Sequence, residues 1–196
     1  MAAHACGAKT VGARAAGGET IMTMTHGAQR IGFVELGRAV MEALLAGERD
    51  RAGALAGVEL PGFFTAERAL WLWRYRLGQM DEDPRGAPWC VRYAVVNGEG
   101  QAVGHGGFHG PPDPGGMVEV GYAVLPAHRR RGYASATLAE LLRRATAAPE
   151  ARVLRATVTP DNTASLATLA PFGFTRVGEQ WDAEDGRELI YEVGVG

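Results

Sequence analysis

Apolar positions along the chain change period several times, and each change predicts an element. Ile31 and Phe33 alternate with Gly32 and Val34, as on a short strand. GRAVMEALLAGERDRAGALAG (residues 37–57) then takes a helical period, with Val40, Met41, Leu44 and Leu45 as its apolar stripe. Pro61 and Gly62 break that pattern, Thr65 is placed to cap, and a second helix runs to about Met80 with Leu70, Trp73, Leu77 and Met80 on its core face. Phe64, Trp71 and Tyr75 fall on a neighbouring flank, where core packing and a substrate-facing aromatic wall are both open readings. APWCVRYAVV (87–96), NGEG and QAVGHGGFHG (101–110) read as strand, Asn-Gly turn and strand. After the loop PPDPGG, MVEVGYAVL (117–125) is a third strand of the same antiparallel meander. YASATLAELLRRATAA (133–148) is a helix with Ala134, Leu138, Leu141 and Ala145 on one face. RVLRATV, DNTASLATLA and then FTRVGEQW with RELIYEV complete the chain as strand, helix and terminal hairpin around DAEDG. This order implies an α/β fold: a mixed, mostly antiparallel twisted sheet of six to seven strands covered by about four helices.

With 196 residues, 46% of them hydrophobic and 21% charged, the chain has the composition of one globular domain. Residues 1–29 are rich in Ala, Gly and Thr without an apolar period and are expected to form a disordered extension, leaving 30–196 as the domain. A mitochondrial-type leader is a weaker reading of the same segment, opposed by Glu19 and the glycines. A net charge of −2 speaks against nucleic-acid binding. Cys6 and Cys90 are too few for a disulfide framework and lack zinc-ligand spacing, so a reducing, cytoplasmic setting is expected. No run approaches the roughly 18 apolar residues of a membrane helix. A monomer or homodimer is expected.

HRRRGYAS (128–135) follows a strand that ends near Pro126 and opens a helix at Gly132. N–H groups at a helix start lack intrahelical acceptors, and the helix dipole adds about half a positive charge there, which suits a phosphate. Gly132 lets a ligand approach the backbone and Ala134 keeps the first turn thin; a solvated charged turn is the alternative. It is not a P-loop, because no lysine follows the glycine. On the preceding strand, alternation puts Glu119, Gly121 and Ala123 on one face and Val118, Val120, Tyr122 and Val124 on the other. A carboxylate flanked by Gly and Ala has open space beside it, which suits a ligand, although a surface glutamate is equally ordinary. His105 and His109 share a strand face but sit about 13 Å apart, too far to share a metal ion, and no metal is expected.

The stretch VEVGYAVLPAHRRRGYASATLAELL resembles the acetyl-CoA-binding motif of the GNAT superfamily of N-acetyltransferases, Gln or Arg, x, x, Gly, x, Gly or Ala, with Arg129, Gly132 and Ala134 in those places. DNTASLATLAPFGF carries Asn162, Ser165, Gly173 and Phe174 at the spacing of the branch similar to ribosomal-protein N-terminal acetyltransferases. The resemblance runs from about residue 30 to the C-terminus and implies the GNAT acyl-CoA N-acyltransferase fold with acetyl-CoA as cosubstrate. It further implies that backbone groups of Val124 and Leu125 pair with pantetheine. The amides of Arg129, Arg130, Arg131, Gly132, Tyr133 and Ala134, with Ser135 in the same turn, would hold the pyrophosphate. Asn162 would be a second cofactor contact, and with Asp161 it is also placed to cap its helix. The arginines suit the 3′-phosphate of CoA.

Attack of an amine on a thioester requires loss of a proton from an ammonium of pKa near 10, and Glu119 is the candidate base. A backbone N–H near Val124 is placed to stabilise the oxyanion. Family members carry a tyrosine that protonates the departing thiolate, where this sequence has Leu169; Ser165 or Tyr133 are the candidate substitutes, and CoA thiolate is a tolerable unaided leaving group. Pro171 is expected to end its helix early. Trp71, Tyr75, Phe108 and Trp181 are candidate walls of an acceptor pocket, with packing as the other reading, and Asp113, Asp182, Glu184 and Asp185 join Glu119 as acids near its mouth. The acceptor is expected to be a primary amine, a small molecule or a protein N-terminus. A non-catalytic acyl-CoA-binding sensor is the competing class, supported by the missing tyrosine.

Overall fold

The computed structural model describes residues 24–26 and 29–196, with side chains from Arg30 onward. Eight strands, β1 (Met24–His26), β2 (Gln29–Leu36), β3 (Arg92–Asn97), β4 (Ala102–Phe108), β5 (Met117–Val124), β6 (Val153–Val158), β7 (Thr175–Asp182) and β8 (Gly186–Gly194), form one sheet in the order β1-β2-β3-β4-β5-β6-β8-β7. Only β5 and β6 run parallel. The α-helices are α1 (Arg38–Leu45), α2 (Arg49–Ala56), α3 (Glu67–Glu82), α4 (Ala87–Cys90), α5 (Tyr133–Ala147) and α6 (Thr163–Leu169). The mixed, mostly antiparallel sheet is the one expected, with one strand more. The extra strand is β1, which begins the sheet inside the segment expected as an extension; residues 1–23 and 27–28 of that segment lie outside the described residues.

Six helices replace about four for two local reasons. The period over 37–57 is interrupted at Gly47, whose φ of 77° is left-handed. Gly47 N–H donates to Leu44 and Glu48 N–H to Ala43, so α1 closes in a Schellman motif and α2 starts afresh. APWC, expected as the start of a strand, is a helical turn, because Pro88 has no N–H for a ladder but fits a first helical turn. Pro171 does end α6 at Leu169, and a 3₁₀ turn over Ala170–Phe172 follows.

Both faces of the sheet are covered. On one, Leu36 of β2 and Met41, Leu44, Phe64 and Trp73 of the α1–α3 layer pack with Ala94 and Val96. On the other, α5 contributes Leu138, Leu141 and Ala145 against Val118, Val120 and Leu154. Period-2 alternation on β5 thus aims Val118 and Val120 at α5 and Glu119, Gly121 and Ala123 at the α3 side. Pairing of β5 with β6 covers only Met117↔Val153, Val118↔Leu154 and Glu119↔Arg155, although both strands continue. The two strands therefore splay apart beyond Glu119, in the middle of the sheet.

Candidate active site

The splay exposes main chain where a sheet normally hides it. Leu125 N–H donates to Val103 and His109 N–H to Glu119, so the odd residues of β5 turn their peptide groups toward β4. Alternation leaves those of Tyr122 and Val124 facing the gap beside β6. Leu125 is a correction to the expected pantetheine contact: its N–H is taken by Val103, its carbonyl by His128 N–H, and its side chain is buried. Val124 faces the gap, where its carbonyl accepts from Arg129 Nε at 3.2 Å.

From Val124 the chain passes through a 3₁₀ turn, Pro126–His128, into α5. Arg130 has φ 58°, the only non-glycine residue with positive φ among those described, and Gly132 has φ 83°. This curl brings the loop onto the N-terminus of the 15-residue α5, where Gly132 supplies no side-chain cap for the first N–H groups. Arg129, Arg130, Arg131 and Gly132 are exposed, and Ala134 and Ser135 half-buried. Tyr133 differs: its ring is buried with Ile31, Val95 and Val103, so it offers this loop its N–H and is removed as a substitute acid. A row of uncapped amides at a helix N-terminus, next to a gap lined by strand groups that no neighbouring strand pairs, fits a pyrophosphate joined to an extended amide-containing arm. Asn162 Oδ1 accepts from Ser165 N–H at 3.1 Å, so capping of α6 is the role seen for it.

Glu119 lies at the last position where β5 pairs with β6. Thr157 Oγ1 donates to its Oε1 at 2.7 Å, and His109 Nδ1 stands 3.3 Å from the same oxygen. Burial works to raise the Glu119 pKa, but hydrogen bonds from His109 and Thr157 and the charge of Arg155 outweigh it and hold the carboxyl below its ordinary range. The open space expected beside Glu119 is filled: a Cβ built at Gly121 would lie 2.4 Å from His109 Nε2, so the imidazole occupies the place of a side chain there. His109 is pinned at its carbonyl by Arg76 and by Gln79 Nε2, both on α3. Sequence reasoning missed His109 as a site residue; its signal was the hairpin register, which places it directly opposite Glu119.

A second missed residue is Tyr122, whose hydroxyl is within hydrogen-bonding reach of Thr168 and Ser165. Burial raises its pKa above the ordinary phenol value. Ser165 thus sits on α6 across from β5, whereas Leu169 is buried in the core.

The aromatic candidates separate. Trp71 and Tyr75 are half-exposed on α3 and stacked, 5.3 Å between centroids at 5°. With Arg74, Gly78, Gln79 and Glu82 they line a groove of about 390 Å³ that reaches the His109 clamp through Gln79. Phe108 is a correction: it is 6% exposed and packs in the core 5.1 Å from Trp89, because its position faces α5 and not α3. Trp181, 79% exposed, lies on edge strand β7 opposite Arg187, and no contact joins it to Glu119. Asp185 is held by Arg68 at 2.7 and 3.1 Å, and Asp182 caps its own turn by accepting from Glu184 and Asp185 N–H. Asp113 likewise caps the loop before β5. Among the described residues no group of three or more His, Cys, Asp or Glu is gathered for a metal, and no helix is long and apolar enough to cross a membrane.

Residues 58–175 match the family model described as the acetyltransferase (GNAT) domain. The uncharacterized N-acetyltransferase YjdG of Bacillus subtilis (strain 168) is 36% identical over 74 residues, which are 38% of this chain and 44% of that relative, so the match spans less than half of its length. Among solved structures, a GNAT-family acetyltransferase from Bacillus anthracis aligns with a TM-score of 0.55 at 19% identity, over 89% of this chain and 99% of the other. Mycobacterium smegmatis RimJ in complex with CoA-disulfide aligns at 0.60 and 21%, over 90% and 87%. RimL, a ribosomal L7/L12 α-N-protein acetyltransferase in complex with coenzyme A, aligns at 0.60 and 15%, over 88% and 97%. At these identities the solved structures bear on the fold. The family model covers more than half of the chain: this protein belongs to the GNAT acetyltransferase family.

Proposed function

We propose that the protein transfers an acetyl group from acetyl-CoA to a primary amine, a small molecule or a protein N-terminus, within a ternary complex. The observation that carries this reading is the gap between β5 and β6 leading directly into the uncapped N-terminus of α5. Val124 supports an extended amide arm at the gap, and the N–H groups from Arg130 to Ser135 support a pyrophosphate, with Arg130 and Arg131 free to meet a further phosphate. Asn162, the cap of α6, is offered as a second cofactor contact, and Ser165 of α6 faces β5. Glu119 and His109 form the proton-accepting pair at its inner end. Ser165, in reach of the Tyr122 hydroxyl, is the group offered to the departing thiolate. Trp71 and Tyr75 offer an apolar wall to the acceptor, and Glu119 favours an amine that arrives as a cation. The α-N-protein acetyltransferase named among the structural neighbours makes a protein N-terminus one member of the acceptor panel.

The competing reading, a binding module without turnover, is favoured by one observation: Leu169, at the place of the family tyrosine, is core. One experiment separates the two. Acetyl-CoA at about 100 times its Kd adds roughly 2.7 kcal/mol of stability through mass action, seen as a rise in Tm. CoA-thiol release against a panel of small amines and peptide N-termini then reports catalysis. A Tm shift with no thiol release from any acceptor supports the sensor, and no shift removes both. Gly132→Val puts a β-branched residue at φ 83° and is expected to abolish the shift.

A further inference from the structure

The carboxylate that the strand pattern singles out is not the group that reaches furthest along β5 toward Val124. His109 and Glu119 are direct cross-strand partners, and from there the imidazole leans over Gly121. Gly121 is two residues nearer Val124 than Glu119 is, a step of about 6.5 Å along β5 toward the part of the strand that β6 leaves unpaired. Glu119 Oε1 already receives Thr157 and faces His109 Nδ1, and its side chain is 22% exposed against 42% for His109. An ionised carboxylate accepts only, so Glu119 beside Nδ1 favours the tautomer with the hydrogen on Nδ1 and the lone pair on Nε2. Among the described residues Nε2 has no hydrogen-bond partner, and the side chain that carries it is partly exposed.

We propose that His109, and not Glu119, is the catalytic base of the acetyl transfer, with Nε2 taking the proton of the acceptor amine and Glu119 acting as a positioning residue on Nδ1. The inference rests on the acetyltransferase reading above. In the step it describes, R–NH3⁺ gives one proton to Nε2 and the freed nitrogen lone pair forms the C–N bond to the thioester carbon. The C–S bond breaks, the thiolate leaves, and the second amine proton goes to it as CoA thiol. The imidazolium then returns its proton to water, so the balance is amide, thiol and one H⁺.

The surroundings keep the imidazole able to accept. Burial lowers its pKa below the ordinary 6.5, Arg76 from α3 and Arg92 from β3 lower it further, and Glu119 from β5 raises it. Thr157 and Arg155 of β6 act behind Glu119 and keep that carboxylate charged. His109 is therefore neutral at pH 7, with its loss of activity on acidification placed below pH 6.5.

The test compares His109→Gln, His109→Ala and Glu119→Gln. His109→Gln is expected to lower kcat/KM by about 10²–10⁴-fold with the acetyl-CoA Tm shift retained, and imidazole to restore turnover to His109→Ala. Glu119→Gln is expected to lose about tenfold and to move the acid limb to lower pH, because the influence that raises the His109 pKa is gone. Nitrogen-15 NMR of the histidine ring reads the tautomer without turnover: an Nδ1–H tautomer that titrates below pH 6.5, and lower still in Glu119→Gln, is expected. Loss confined to Glu119→Gln with His109→Gln near wild type overturns the inference while thiol release by the wild type keeps the acetyltransferase reading. An Nε2–H tautomer overturns it whatever the turnover. Absence of thiol release from the wild type with every acceptor is the failure of the reading itself and overturns the base role with it.

Discussion

Gly121→Ala changes one methyl group and tests the geometry around the base. The backbone at Gly121 is outside the left-handed region, so alanine is allowed there, and its nearest heavy atoms are all in one ring: His109 Nε2 at 2.4 Å, Cδ2 at 3.3 Å and Cε1 at 3.5 Å. To reach an ordinary contact the imidazole must move by about 1 Å, which opens the 3.3 Å approach of Nδ1 to Glu119 as well. A displacement of about 1 Å at a reacting group costs up to about 10²-fold in rate, or roughly 2.7 kcal/mol of barrier. The stability terms are smaller and opposed. Glycine to alanine at a compatible site stabilises by about 0.4–1 kcal/mol, and an off-rotamer ring costs about 0.5–1.5 kcal/mol. The variant is therefore expected to melt within a few degrees of wild type, keep its acetyl-CoA shift and lose one to two decades in kcat by thiol release. In the double variant Gly121→Ala/His109→Gln the glycine change adds nothing, because the ring it displaces is gone. A folded Gly121→Ala enzyme within threefold of wild type would refute the placement of His109 at the reacting centre.

Two further substitutions probe the layer that carries α3. Trp73 is fully buried, stacks on Phe64 and donates Nε1–H to the Phe64 carbonyl at 2.8 Å; Trp73→Ala is expected to lose about 3–5 kcal/mol in urea unfolding, and a loss under 1 kcal/mol would show that this core collapses around the cavity. His105 lies among Phe63, Phe64 and Trp73 with its pKa pushed down to about 3 by burial and by Arg92. Its folded pKa is below its unfolded 6.5, so its contribution is complete above pH 6.5 and is lost as pH falls toward 3. His105→Asn is expected to flatten stability against pH between 6.5 and 4 by up to about 1.4 kcal/mol per pH unit, and parallel curves for variant and wild type would count against a buried neutral imidazole.

The elements with strong period were legible. Leu138, Leu141 and Ala145 on α5, and Leu70, Trp73 and Met80 on α3, face the core or its edge as their spacing requires. Where local punctuation competed with period, period misled. The helical period runs straight through Gly47, whose left-handed conformation ends α1, and the apolar run toward β3 begins at APWC, where Pro88 cannot serve a ladder. The alternation on β5 was right about which residues share a face and wrong about what lies over them. Phe108 shows the complementary error: its aromatic character suggested a pocket wall, and only the pairing Phe108↔Val120 reveals that it faces α5.

The site divides along the same line between what a segment carries and what a register creates. The cradle at α5 is local, set by a strand end, a curl and a helix start within one stretch, so Gly132 and Arg129 could be found there. The base is not local. His109 and Glu119 are ten positions apart with PPDPGG between them, and they meet because the β4–β5 pairing is centred on Pro114, so that residues five before and five after it face each other. A shift of register by one residue would send one of the two side chains to the opposite face of the sheet and leave Glu119 with Thr157 alone. The absence of a side chain at Gly121, read along the strand as open space for a ligand, is the space the imidazole needs once that register is formed. Three features with separate ordinary explanations, a loop glycine-rich strand, a strand carboxylate and a histidine at a strand end, thus become one device only through the hairpin. For this reason the register-dependent variants, Gly121→Ala above all, carry more information about the chemistry than substitutions in the conspicuous arginine loop.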